Sequence, residues 1–117
     1  MLTAGLGVGL AALLAAGGVA LAHHGWGEYD ATKIMTVASP IDTVMPGNPH
    51  VSVRLKHDGK LWTVILAPPS RMTTRGLPPE SLKAGLAVTV EGYPSKNGDP
   101  EMRAERITVA GTKVELR

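Results

Sequence analysis

The side chains able to do chemistry in this chain are its 4 histidines, and it has no cysteine. Any metal site must therefore use imidazole, carboxylate or backbone donors, with no thiolate. Two of the histidines, His23 and His24, stand side by side directly after an apolar stretch ending Ala20-Leu21-Ala22. Cleavage after Ala22 would make His23 a new N-terminus, whose amine and ring nitrogen can chelate a single ion. A third nitrogen from a rigid loop would complete a T-shaped set of ligands. His50 is the best candidate, because Pro49 holds Asn48 in extended geometry and strand ends fix a site better than a free loop does. Cleavage after Leu21 would instead give Ala22-His23-His24, a terminus that captures Cu(II) through backbone amides, with His24 as the alternative ligand. Nitrogen donors suit Cu(II) best, with Ni(II) and Zn(II) behind it.

Each of these residues also has a structural role open to it. A histidine pair beside a leader can be a solvated start, and His50 can cap a turn by bonding a carbonyl. His57, in the turn His57-Asp58-Gly59-Lys60, reads as solvated. Trp26 and Tyr29 can shield a site or clamp the N-terminal segment onto the domain, the clamp being favoured. Trp62 reads as core. Arg71 and Arg75 can form an anion site, although two arginines in a loop are usually solvated. Asn48 reads as a turn residue. Ser, His and Asp side chains lie in turns without a nucleophile-elbow pattern, and no close carboxylate pair suggests acid–base hydrolysis. The chain is thus not read as an enzyme.

The elements that must position these side chains begin with a leader. Residues 1–22 contain no ionisable side chain and hold five glycines and seven alanines, with Ala20 and Ala22 at the A-x-A positions of a cleavage site. A basic n-region is absent. Roughly 20 apolar residues could also anchor in a bilayer, but this weakly hydrophobic composition and the A-x-A junction favour cleavage, so membrane contact is expected only through the leader before it is cut. Three parts follow: residues 1–22 as a cleaved signal peptide, 23–33 as an N-terminal segment carrying the histidine pair, and 34–117 as one small domain. All 12 Lys and Arg and all 10 Asp and Glu fall after the leader with their signs interspersed. Clustered cations are the footprint of nucleic-acid binding, so no nucleic-acid partner is expected.

The domain reads as short strands. Residues 34–45 are rich in β-formers and are interrupted by Ser39-Pro40, which suggests a bulge or an edge. Gly47-Asn48-Pro49 turns the chain. Val51, Val53 and Leu55 alternate with Ser52, Arg54 and Lys56, giving a strand with one buried face. Asp58-Gly59 marks a type I′ hairpin, and Leu61 to Ala67 forms the next strand. Pro78 to Gly85 carries the signals of a short helix, expected to close one barrel end with Leu77 and Leu82. Val88 to Tyr93, Glu105 to Val109 and Lys113 to Leu116 complete the strands, with Asn97 to Pro100 as a turn. Strands with one short helix between the third and fourth make an all-β, OB-like Greek-key barrel, with a small β-sandwich as the alternative.

The chain resembles a known family through His23-His24-Gly25, Glu28-Tyr29-Asp30, Gly47-Asn48-Pro49-His50, Leu66-Ala67-Pro68-Pro69-Ser70, Arg75-Gly76-Leu77, Ser81 to Gly85, Val88 to Pro94 and Ala104-Glu105-Arg106. These motifs are similar to those of the exported bacterial family catalogued as domain of unknown function 6152. The sequence departs from the family pattern at Ser39-Pro40 and Met45-Pro46. The resemblance implies export and brings no activity. The N-terminal histidine alone resembles the histidine brace of copper monooxygenases and of some periplasmic copper carriers.

The expectation is therefore a periplasmic or secreted metal-binding protein holding a copper ion with His23, His50 and, alternatively, His24. The competing expectation is a metal-free OB-like module that binds a small ligand, an envelope glycan or an envelope protein partner. An accessory role to a membrane or secreted enzyme is a third.

Overall fold

The computed structural model describes residues 25–47 and 49–117. The expected leader, His23, His24 and the turn residue Asn48 lie outside the described residues. The strands are β1 (Met35–Met45), β2 (Ser52–His57), β3 (Lys60–Ile65), β4 (Ala87–Pro94), β5 (Glu101–Val109) and β6 (Thr112–Glu115), with helix α1 (Pro69–Thr74) between β3 and β4. Single 3₁₀ turns occupy Trp26–Glu28 and Pro79–Ser81.

The sheet order is β3-β2-β1-β4-β5-β6, and β3 also pairs in parallel with β5. That extra pairing closes β1 to β5 into an OB-like barrel and rules out the β-sandwich, whose two sheets would stay separate. β6 continues the sheet as a hairpin on β5.

The length of β1 lets it serve two partners. Met35 to Pro40 pair with β4, and Ile41 to Met45 pair with β2. Pro40 stands at the hand-over, opposite Ala87, the first residue of β4. Its missing amide thus falls where the ladder changes partner, and the register shift comes just after it, between Ile41 and Thr43. The β2–β3 hairpin turns through Asp58 and Gly59, both at positive φ (50° and 73°), as a type I′ turn requires.

The expected helix at Pro78 to Gly85 is corrected. Only Pro79–Ser81 makes a 3₁₀ turn there, and the α-helix is Pro69–Thr74. The earlier segment wins because Pro69 opens the helix where no amide donor is needed and Met72 reaches the core, fully buried. Leu77 and Leu82 still insert into the core, as anticipated. A second correction concerns β5, which begins at Glu101, four residues before the expected Glu105. The register shift between Glu91 and Gly92 changes which parity faces inward, so Met102, Ala104 and Ile107 are all core residues. Strict period-2 reading fails across such a bulge. Gly92 sits at that point because a Cβ there would lie 2.0 Å from the Arg103 carbonyl oxygen.

The barrel interior holds Val53, Leu55, Val64, Leu66, Val90, Met102 and Ile107, each at 0% exposure. Full burial of such side chains stabilises by about 1.5–3 kcal/mol apiece. Trp62 packs half-buried against this core, at the hairpin end. Among the described residues no helix is long and apolar enough to cross a membrane.

Candidate functional site

β5 sets out the site. Met102 and Ala104 point into the core, so Glu101 and Arg103 share the outer face of the strand. An outward arginine on a small barrel is normally solvated, yet Arg103 is only 4% exposed. It is covered by the N-terminal segment. The Arg103 guanidinium carbon lies 4.4 Å from the centre of the Trp26 ring, and that of Arg117 lies equally close at 4.4 Å. Tyr93 meets the same indole edge-on at 6.2 Å. Cation–π contacts of this kind suit a buried guanidinium, which gives up less hydration than an ammonium. Burial pushes the Arg103 guanidinium below its ordinary range, and the like charges of Arg71 and Arg117 act in the same direction.

The segment is held by more than Trp26. Tyr29, 2% exposed, donates its hydroxyl to Glu101 Oε2 at 2.6 Å. Its backbone bridges Ser95, the Asp30 amide donates to the Pro94 carbonyl at 2.9 Å, and the Lys96 amide donates to the Glu28 carbonyl at 3.1 Å. Burial, and then the hydrogen bond to Glu101, raises the Tyr29 phenol well above its ordinary value of 10.0. Asp30 accepts from the amide and hydroxyl of Thr32, which holds its carboxyl below the usual range. Tyr93 donates to Glu105, whose hydrogen bond raises the phenol. The residues read as a clamp thus form one, with Tyr29 as its apolar anchor and Trp26 as a platform for two cations.

His50 reaches the same guanidinium from the β1–β2 loop. Arg103 Nη2 lies 3.3 Å from His50 Nε2. Because guanidinium only donates, Nε2 accepts and the ring proton belongs on Nδ1. The loop that presents His50 is tight: a Cβ on Gly47 would lie 2.7 Å from the His50 carbonyl oxygen. Directly after it, the Val51 amide bonds the Ala67 carbonyl and the Leu66 amide bonds the Val51 carbonyl, each at 2.9 Å.

The other described sequence candidates spend their side chains elsewhere, although Arg71 stays near enough for its charge to act on Arg103. His57 lies at the far end of β2, beside Asp58 at 3.4 Å and edge-on to Trp62 at 5.5 Å. Arg71 and Arg75 spend donors on carbonyls of the C-terminal segment: Arg71 on Leu116, Arg75 on Glu115 and Arg117. These bonds tie α1 and its C-terminal cap to residues 115–117, a structural task. His23 and His24 lie outside the described residues, immediately upstream of Gly25 and Trp26. Among the described residues no group of three or more His, Asp or Glu is placed to hold a metal ion.

Sequence reasoning did not single out Arg103 or Glu101. Neither sits in a motif. The available signal was the alternation of Glu101, Met102, Arg103 and Ala104, which the bulge after them obscured.

The fold and this corner define a class: a small OB-like barrel whose N-terminal segment clasps the outside of β4 and β5 beside the β1–β2 loop. The chain belongs to the family of unknown function DUF6152, whose model matches residues 11–103. The matched span takes in the histidine pair, the β1–β2 loop and Arg103. Comparison with curated proteins yields no match.

Proposed function

We propose that this is an exported copper-binding protein whose site combines His50 with the histidines at positions 23 and 24, the first of them as a processed N-terminus. The observation that carries the reading is the meeting of Trp26 and His50 on one guanidinium, at 4.4 Å and 3.3 Å. A fully extended chain advances at most about 3.6 Å per residue, so ligands two and three residues upstream of Trp26 stay within a short reach of the corner where it meets His50. Imidazole and amine nitrogens without thiolate favour Cu(II). Arg103 adds a condition, because its guanidinium engages Nε2 and repels a cation. Ligation through that nitrogen displaces the Arg103 contact, so copper entry is coupled to movement of this one side chain.

The test is Cu(II) titration and electron paramagnetic resonance of protein exported and processed by cells, beside the same protein with an added N-terminal Met. One-to-one binding with a nitrogen-rich signal, lost on adding Met and lost in His50→Ala, is the expected result. Arg103→Met, which keeps apolar bulk over Trp26, should tighten Cu(II) by roughly tenfold, since a like charge a few ångströms away costs on the order of 1–4 kcal/mol. Equal uptake by wild type and His50→Ala would sink the site.

A further inference from the structure

The loop that presents His50 also forms one wall of an unrelated concavity. A cleft of about 690 Å³ is lined by Val44, Pro46, Val51, Pro69, Pro79 and Glu80, with the backbone of Gly47 at its edge. Its size falls within the range of small-ligand pockets, roughly 300–1,000 Å³. Three separate pieces of chain build it: the end of β1 with the β1–β2 loop, the start of α1, and the 3₁₀ turn at Pro79–Ser81.

Each wall is fixed before any ligand arrives. Val51, 1% exposed, forms part of the wall and is pinned by backbone bonds to Ala67 and Leu66. Pro69 opens α1 and Pro79 opens the 3₁₀ turn, where the locked φ of proline leaves little freedom to lose. Gly47 approaches the His50 carbonyl too closely for any side chain. A preformed apolar cleft binds at low ordering cost.

The lining chemistry selects the occupant. Five apolar side chains face the cleft and a single ionisable one, Glu80, stands at it; no Lys, Arg or His is in the described lining. Among the described residues no salt bridge engages the Glu80 carboxylate. A ligand with an apolar body and one cationic end buries its body against the prolines and valines and pairs its charge with Glu80. An anionic amphiphile meets a carboxylate with no compensating cation.

We infer that this cleft is a binding site for a small cationic amphiphile, an apolar molecule carrying one ammonium group, and that it works independently of copper. The probes are the neutral dye N-phenyl-1-naphthylamine, dodecyltrimethylammonium and dodecanoate, all below micelle-forming concentrations, with the full processed chain. Dye fluorescence should rise on binding. Dodecyltrimethylammonium should displace the dye at about two- to fivefold lower concentration than dodecanoate, the selectivity expected of one exposed ion pair. Glu80→Gln should equalise the two competitors while dye binding persists. Val44→Asp should abolish dye binding, and Pro46→Asp, on the exposed loop, gives the same readout should the strand variant fail to fold. His50→Ala should leave every one of these results unchanged, which separates this site from the copper reading. No dye response in wild type, or a cation preference that survives Glu80→Gln, overturns the proposal.

Discussion

β2 connects two histidines with opposite kinds of surroundings. At one end His57 lies in a two-residue hairpin turn, and its closest charged neighbour is the adjacent Asp58, 86% exposed. At the other end His50 meets Arg103, 53 positions away in the chain. The hairpin end is built from local chemistry: positive φ at Asp58 and Gly59, a register running from His57↔Lys60 to Ser52↔Ile65, and Trp62 packed edge-on against the turn histidine. The loop end is built from four distant pieces: the N-terminal clasp, the β1–β2 loop, β4 and β5. A histidine whose contacts are local is tied only to its own hairpin. One held by an arginine that the barrel has itself buried is tied to the whole fold.

Variants at the two ends should therefore differ in size of effect. Trp26→Ala removes the ring shared by Arg103 and Arg117 and should cost about 2 kcal/mol in urea unfolding, from two partly buried cation–π contacts and lost apolar area. A cost below about 0.5 kcal/mol would mean that the clasp adds nothing to the barrel.

Tyr29 gives a second, pH-resolved probe of the same end. Its phenol is raised in the folded state above the ordinary 10.0, so the unfolded chain loses this proton first. The contribution is complete below pH 10 and declines as pH rises beyond it. Tyr29→Phe should cost about 1–2 kcal/mol near neutrality, the loss of a part-buried bond to a carboxylate, and should flatten the decline above pH 10. A wild-type profile no steeper than that of the Phe variant would show Tyr29 to be solvated.

The smallest effect is predicted at the hairpin. His57→Ala should change stability by less than about 0.5 kcal/mol, as a surface pair with Asp58 contributes little. It should also leave Cu(II) binding as in wild type, in contrast with His50→Ala. A large loss at His57 would erase the distinction between the two ends.

Much of the barrel was legible because its signals are local. Val51, Val53 and Leu55 alternate, Asp58-Gly59 forces its turn, and strands flanking one short helix have few compact solutions. The helix position was misread because Pro78 to Gly85 carries helix punctuation, whereas Pro69 to Thr74 carries the side chain that matters, Met72. Whether a residue such as Met72 reaches the core depends on how the barrel closes.

The site was half legible. His50 stood out by its type and by Pro49 before it. Arg103 and Glu101 did not, since nothing in a strand of mixed charge tells which arginine will be covered.

By itself the sequence determined most of the strand segments, the hairpin turn at Asp58-Gly59 and the placing of histidines directly after an apolar stretch and in a proline-flanked loop, the first two being consequences of dihedral preference and period-2 burial. Only the tertiary structure decided that Trp26 lies on Arg103 and that Arg103 faces His50. Those contacts arise because parallel pairing of β3 with β5 brings the β1–β2 loop and the N-terminal segment to one edge of the barrel, and no local preference encodes a pairing between residues so far apart in the chain.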